Sequence, residues 1–227
     1  LRIMHRGPDD SGIWINKDNT LALGHRRLSI LDLSEAGHQP MVSPCSRYTL
    51  SYNGEIYNHL DLRKELERAG GHFDWQGHSD TETLLAALRH WGIEGALQRL
   101  NGMFAFALWD RPRGRLILAR DRLGQKPLIY RREKNRLLFA SEIKSILQVP
   151  GVPREVNPHA LSEYLTYLYV PQPRTMFAGI EKLPPAHYAV YENGELNIGR
   201  YWDLDLNRKI ARPLEDVGEE LNAQLDD

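Results

Sequence analysis

The feature that most constrains this chain is a ladder of short apolar runs broken by compact turns. Residues 103–109 (MFAFALW), 115–120 (RLILAR), 127–131 (PLIYR) and 136–140 (RLLFA) have strand length and strand composition. The turns at 110–114 and 133–135 are too short to hold a crossover helix, so they predict antiparallel hairpins. Residues 187–202 repeat the pattern around Asn193-Gly194. Residues 11–16 and 21–30 read as strands parted by a Lys-Asp-Asn turn. Residues 47–57 form one more β-rich run, with the turn signal Asn53-Gly54 inside it.

Helices fall between these β runs. Asn58 is placed to cap a helix over 59–69, where Leu62 and Leu66 share a face. Residues 79–82 (SDTE) fit a capping box opening 80–91, with Gly92 as its stop. Residues 142–148 read as one or two helical turns, and Asn157-Pro158 opens a helix to about Tyr169. Residues 170–186 are Pro-rich and irregular. The expectation is an α+β fold, two packed antiparallel sheets with helices outside.

The 227 residues suit one large domain of 1–205. Residues 206–227 are charged and helix-prone without apolar surface for a core, and read as the linker and start of a further domain. Lys plus Arg is 29 and Asp plus Glu is 30, which excludes a general electrostatic grip on nucleic acid or an anionic membrane. No apolar run approaches the ~20 residues of a membrane helix, and no signal-peptide pattern is present. One Cys excludes an intrachain disulfide and a Cys-based zinc site, and no His–acid pair has metal-ligand spacing. The cytoplasm is the expected compartment.

Four short segments could carry chemistry. In HRRLS (25–29) alternation sends Arg26 and Arg27 to opposite faces, and one must share the face of Leu23. An inward Arg needs an anion, either a carboxylate ligand or an internal acid. In YNGEIYN (52–58) the Asn53 side-chain amide and the Gly54 N–H could donate to one oxyanion. An Asn-Gly is more often a plain hairpin turn. Asp80 sits at a helix start, where its charge is favourable with or without a ligand. In HRGPDD (5–10) the plain reading is an Arg6–Asp9 pair stiffening a loop. Together, an Arg for a carboxylate, Glu55 and Asp80 for an ammonium, and an amide pair for an oxyanion describe a site for an amino acid with a side-chain amide. Glutamine is the obvious ligand.

At this point the chain resembles a known family. HRGPD (5–9), GHRRLSILDLS (24–34), YNGEIYN (52–58), SDTE (79–82), GMFAFALWD (102–110), LARDRLGQKPLIY (118–130) and FASEIKSIL (139–147) match the glutaminase domain of glutamine-dependent asparagine synthetases. The resemblance spans Arg2 to about Asp203. It implies a class II glutamine amidotransferase with an N-terminal-nucleophile hydrolase fold, an αββα sandwich. It implies that Arg27 binds the glutamine α-carboxylate, that Glu55 and Asp80 hold its ammonium, and that Asn53 and the Gly54 N–H form the oxyanion hole. Asp121, Gly124, Lys126 and Glu142 are expected to be structural support.

One departure matters. The family's nucleophile is an N-terminal Cys whose own amine acts as base. Here position 1 is Leu, which has no nucleophilic atom. Cys45 lies away from every matching motif and reads as a loop thiol without a role. The resemblance implies that a strand, a helix and the Cys precede Leu1, so these residues alone are expected to be inactive. It also implies a C-terminal synthetase domain that uses ATP and Mg²⁺ to activate aspartate and accepts ammonia, and homodimers are common in the family. Two other readings stay open: a glutaminase-like module kept for binding, and an amidotransferase with a different acceptor, including a sugar- or phosphoribosyl-linked one.

Overall fold

The computed structural model describes residues 3–28, 34–70, 73–207 and 211–225. Its strands are β1 (Asp10–Ile15), β2 (Ala22–Arg27), β3 (Met41–Val42), β4 (Tyr48–Ile56), β5 (Gly102–Asp110), β6 (Arg115–Arg120), β7 (Ile129–Arg132), β8 (Leu137–Ala140), β9 (Glu181–Lys182), β10 (His187–Glu192) and β11 (Glu195–Arg200). Its helices are α1 (His59–Arg68), α2 (Asp80–Arg99), α3 (Ile143–Ile146), α4 (Pro158–Tyr167) and α5 (Leu214–Leu225).

The strands make a six-stranded sheet in the order β11-β10-β6-β5-β4-β3, a three-stranded sheet β8-β7-β9 and a two-stranded sheet β1-β2. Every pairing between these strands is antiparallel. Alternation along β5 explains the layering. Phe104, Phe106 and Leu108 point to one face and pack with Leu62 of α1 and with Leu84, Leu88 and Leu97 of α2. Ala105 and Ala107 point to the other face and pack with Leu23 of β2 and with Leu128 and Tyr130 at β7. The far side of the three-stranded sheet is closed by Ile146 of α3, with Ile129 and Ile180. The order of layers is helices, large sheet, small sheets, helix, as expected for an αββα sandwich.

The three sequence hairpins form. β5 and β6 pair, as do β7 and β8, and Asn193 and Gly194 take positive φ values of 52° and 81° between β10 and β11. The β6–β7 connection is different. It does not fold back as a further hairpin but carries the chain from the large sheet into the small one. The buried Asp121 carboxylate causes this change of direction. It accepts from the backbone N–H groups of Phe104 (3.2 Å), Leu123 (3.1 Å), Gln125 (2.9 Å) and Lys126 (2.9 Å). Gly124 sits in that turn with φ 68°, where a Cβ would lie 2.9 Å from Pro185. The Arg120 guanidinium closes the turn from outside by donating to the carbonyls of Gly124, Lys126 and Leu183.

Several local expectations need correction. Asn58 is not a side-chain cap of α1. Its amide instead donates to Arg99 O (2.9 Å) and accepts from Asn101 N (3.0 Å), tying the α1 start to the end of α2. Gly92 does not end α2. It takes φ 73° and kinks the helix, which resumes to Arg99. Ser79 does cap α2, accepting from Thr81 N, but Glu82 reaches Gln76 N and Gly77 N instead of closing a capping box. Asn157 caps α4 as expected, accepting from His159 N and Ala160 N. Arg6 pairs with Glu142 at 3.1 Å, 136 residues away, and not with Asp9. The resemblance segment at 29–33 lies outside the described residues. No helix of the described residues is long and apolar enough to cross a membrane.

Candidate functional site

The candidate site is built on the outer part of β4. Among the described residues, beyond Leu50 this strand has β5 on one side and no strand on the other, because β3 pairs only with Thr49 and Leu50. In an antiparallel strand successive N–H groups point to opposite edges. Tyr52 N donates to the Gln39 side-chain oxygen at 2.7 Å, and Ile56 N donates to Asp80 Oδ2 at 2.9 Å. Both groups face the unpaired edge. Gly54 N–H has the same parity, so it projects from that edge between two donors that are already engaged.

Asn53-Gly54 is therefore not a turn. It lies inside an unbroken nine-residue strand. Glycine is required there by close packing: a Cβ on Gly54 would lie 2.2 Å from Met103 O and 2.7 Å from Phe104 Cα. The Asn53 side chain points to the inner face, toward the small sheets. Its Nδ2 is buried and has no hydrogen-bond partner among the described residues. A buried amide donor without a partner is costly, which marks it as held for something else.

Asp80 is 5 % exposed. It turns away from the helix start and back onto β4, where Oδ2 also accepts from the Tyr52 hydroxyl at 2.6 Å. Burial and the Asp80 charge push the Tyr52 hydroxyl far above its ordinary range, so it stays protonated and donates. Glu55 shares the inner face with Asn53, and no hydrogen bond or ion pair engages it among the described residues. Asp80 thus fixes the strand edge, while Glu55 is the carboxylate with the fuller set of open acceptor positions.

β2 approaches this strand from the inner side. Ser51 Oγ donates to Gly24 O at 3.3 Å and His25 Nε2 to Tyr52 O at 2.9 Å. These contacts advance in step along both strands, so β2 runs toward the Gly54–Glu55 end of β4 as it reaches Arg27. Leu23, His25 and Arg27 share one face by alternation, which makes Arg27 the inward arginine. Its Nη1 donates to Ser34 O at 2.9 Å, and its guanidinium lies against Gly37, where a Cβ would come within 1.9 Å of Nη2. Arg26 faces the other way and donates to Gly7 O at 2.8 Å.

His25 and Gln39 were missed in the sequence. His25 Nε2 must be the protonated nitrogen, since a carbonyl only accepts. Its Nδ1 is buried with no partner among the described residues. Burial lowers its pKa to about 4, so the ring is neutral near pH 7. The repeated HR pattern at 5–6 and 25–26 gave no sign of which His lies inside. Gln39 had no periodic signal because it sits in a loop.

His25, Asn53, Ser51 and Ala105 line one side of a cavity of about 580 Å³, with Leu137–Ala140 of β8 on the other. Arg26 lines this cavity, whereas Arg27, Glu55 and Asp80 do not: Asp80 holds the β4 edge and Arg27 lies against Gly37. Glu142 supports the region from the far side. Lys144 Nζ at 2.8 Å, with Arg6 and His5, holds its carboxyl at about 2. Cys45 is exposed in the β3–β4 loop beside Ser43, whose hydroxyl lies 3.4 Å away and lowers the thiol pKa.

Comparisons with known proteins identify the family of this fold. Residues 1–202 match the family model of the glutamine amidotransferase domain. Asparagine synthetase [glutamine-hydrolyzing] 3 of Bacillus subtilis is 45% identical over 203 residues, covering 88% of this chain and 32% of that protein. A putative asparagine synthetase of Methanocaldococcus jannaschii is 34% identical, covering 89% of this chain and 42% of that protein. The chain thus spans about a third of the length of such relatives. Among solved structures, the B. subtilis glutamine phosphoribosylpyrophosphate amidotransferase superposes with a TM-score of 0.54 at 21% identity, over 80% of this chain and 35% of that one. That likeness shows a shared fold, the N-terminal-nucleophile sandwich. Its motifs, its fold and its match over nearly all of its length place this chain in the class II glutamine amidotransferase domain family, the domain that glutamine-hydrolysing asparagine synthetases carry.

Proposed function

We propose that this chain forms the glutamine pocket of a glutaminase that feeds ammonia to an ATP-dependent synthetase domain. The observation that carries the reading is the β4 edge. One backbone N–H, that of Gly54, projects between two engaged ones, and the Asn53 amide beside it is buried without a partner. Two preorganised donors at one strand position suit the oxyanion of a tetrahedral intermediate, where one such donor is worth about 3–4 kcal/mol.

In this reading Arg27 takes the glutamine α-carboxylate through its guanidinium fork. Glu55 takes the α-ammonium, with Asp80 adding negative charge behind it. A Cys thiolate attacks the side-chain carbonyl carbon, and the oxygen becomes an anion held by Asn53 Nδ2 and Gly54 N–H. Collapse expels ammonia and leaves a thioester, which water hydrolyses to glutamate. Cys45, the single Cys of these 227 residues, lies in the β3–β4 loop, so in this reading the thiolate comes from residues outside them. The cleft between β2 and β8 suits one further strand that would bring it, because those strands are edges of separate sheets on either side of the cavity.

ATP and Mg²⁺ belong to the further domain, and aspartate is its acceptor. A different acid is the second reading. A Gibberella zeae protein named amidase chry2, 38% identical over 213 residues, shows that the similarity reaches proteins not named asparagine synthetases. The test is glutamate release and asparagine formation by the full-length protein, with wild type and Arg27→Ala. Loss of glutamine-dependent but not ammonia-dependent asparagine synthesis in Arg27→Ala supports the reading. An unchanged KM for glutamine refutes the carboxylate assignment.

A further inference from the structure

The cavity beside β4 holds two polar atoms that the fold leaves unsatisfied. His25 Nδ1 and Asn53 Nδ2 are both buried, and neither has a hydrogen-bond partner among the described residues. They belong to residues that line the same cavity. Across it, Leu137, Leu138, Phe139 and Ala140 present only aliphatic and aromatic side chains, which satisfy neither atom. An oxyanion gives Asn53 Nδ2 its acceptor. Nothing in the oxyanion hole meets His25 Nδ1, and a buried polar atom without a partner is costly.

The two atoms are opposite in kind. An amide nitrogen such as Asn53 Nδ2 only donates. His25 Nε2 gives its proton to Tyr52 O at 2.9 Å, and burial keeps the ring neutral near pH 7, so Nδ1 only accepts. The same bond ties the two residues together, because that carbonyl belongs to the peptide group joining Tyr52 to Asn53. A molecule that satisfies both atoms must accept at one point and donate at another. A carboxylate fits badly. Its charge makes it a strong acceptor for the Asn53 and Gly54 donors, but it has no hydrogen to give and turns a lone pair toward Nδ1. A primary carboxamide fits both atoms: its oxygen accepts from Asn53 Nδ2 and its –NH₂ donates to His25 Nδ1.

We propose that His25 Nδ1 accepts a hydrogen bond from the side-chain –NH₂ of glutamine, and that His25 is the residue by which this site selects an amide over a carboxylate. This rests on the functional reading above, in which glutamine is the substrate and glutamate the product. The two differ only at that group. The oxyanion donors alone would hold the charged product at least as firmly as the neutral substrate. A fixed acceptor beside them reverses the preference: hydrolysis replaces a donor by a lone pair at Nδ1, and the product is repelled. A site built to bond a substrate N–H discriminates strongly against an analogue lacking it, because the site's own polar group is then left unpaired.

The experiment uses the full-length protein with reciprocal variants. His25→Gln keeps a donor within reach of Tyr52 O and removes the acceptor at the Nδ1 position. His25→Asn keeps an acceptor oxygen at that position and is too short to reach Tyr52 O. Ammonia release gives KM for glutamine, added glutamate gives its competitive Ki, and thermal unfolding gives Tm. In His25→Gln the ratio of glutamate Ki to glutamine KM is expected to fall at least about tenfold with Tm unchanged. In His25→Asn the Tm is expected to fall while the ratio stays within about threefold of wild type. A ratio unchanged in His25→Gln, or lost equally in both variants, overturns the proposal and leaves His25 a purely structural tie. If His25→Gln does not fold, His25→Asn is compared with His25→Ala, since both lack the Tyr52 bond and only Asn offers an acceptor. The ratio must then be at least about tenfold lower in Ala, and equal ratios overturn the proposal. A wild type that releases no ammonia from glutamine refutes the functional reading and this proposal with it, whereas normal wild-type turnover with unmoved ratios refutes this proposal alone.

Discussion

Replacing Asp80 with Asn separates two roles held by one buried carboxylate. Its Oδ2 accepts from Tyr52 OH at 2.6 Å and from Ile56 N at 2.9 Å. A hydrogen bond to a charged acceptor is worth about 1.5–3 kcal/mol net, against about 0.5–1.5 kcal/mol for a neutral pair. Asn keeps the shape and one acceptor oxygen but loses the charge. The loss is about 1 kcal/mol per bond, or about 2 kcal/mol for the two. In a domain of this size that lowers Tm by about 4–8 °C. The glutamine reading demands a second loss. Truncating one partner of a buried charge pair costs about 2–5 kcal/mol in binding, and Glu55 remains, so the low end applies. About 2 kcal/mol is roughly a 30-fold rise in KM for glutamine. The assay is thermal unfolding together with glutamate release by the full-length protein over a range of glutamine concentrations. A lowered Tm with KM changed less than threefold would mean that Asp80 serves the strand edge alone. An unchanged Tm would refute the hydrogen-bond argument itself.

Three further outcomes follow from the same geometry. Asp121→Ala strands four backbone N–H groups around a turn that water reaches only in part, and should cost about 3–5 kcal/mol in urea unfolding; a loss under 1 kcal/mol would show that the turn holds without the carboxylate. Gly54→Ala places a methyl 2.2 Å from Met103 O, so β4 and β5 must separate; we expect at least 2 kcal/mol of destabilisation and loss of glutaminase activity, and a near-wild-type variant would contradict the packing. His25, with its pKa lowered to about 4 in the fold, binds fewer protons than its unfolded counterpart near 6.5, so stability rises with pH between those values and is lost as pH falls through the window. His25→Gln keeps a donor for Tyr52 O and should flatten that slope by up to about 1.4 kcal/mol per pH unit, measured as the difference between the two unfolding profiles; parallel profiles would exclude His25 as the titrating group.

The elements and their pairing were readable because each apolar run alternates and each turn carries its own chemistry. Asn193-Gly194 and Asn157-Pro158 behave as local rules require. Elsewhere local rules failed where a distant partner won. Asn53-Gly54 is a turn signal overridden by pairing along all of β4. Gly92 is a stop signal overridden by packing of the residues after it, Ala96 and Leu97. The change of sheet after β6 depends on one buried carboxylate and not on any pattern in the turn. Of the five site residues named from sequence, Asn53, Gly54 and Glu55 lie on β4 and Asp80 against its edge, while Arg27 lies on β2 beside Gly37. The groups that make this edge specific, Gln39 and Tyr52, act through contacts 13 and 28 residues apart that no periodicity records.

An unpaired sheet edge is normally a hazard, because a row of open N–H and C=O groups invites a foreign strand. On β4 the Gln39 amide and the Asp80 carboxylate occupy the positions on either side of Gly54. An incoming strand needs several consecutive donors in register, and here it meets only one. The plugs that single out Gly54 for chemistry therefore also make this edge a poor template for polymerisation, and variants that remove them should be watched for aggregation as much as for lost activity.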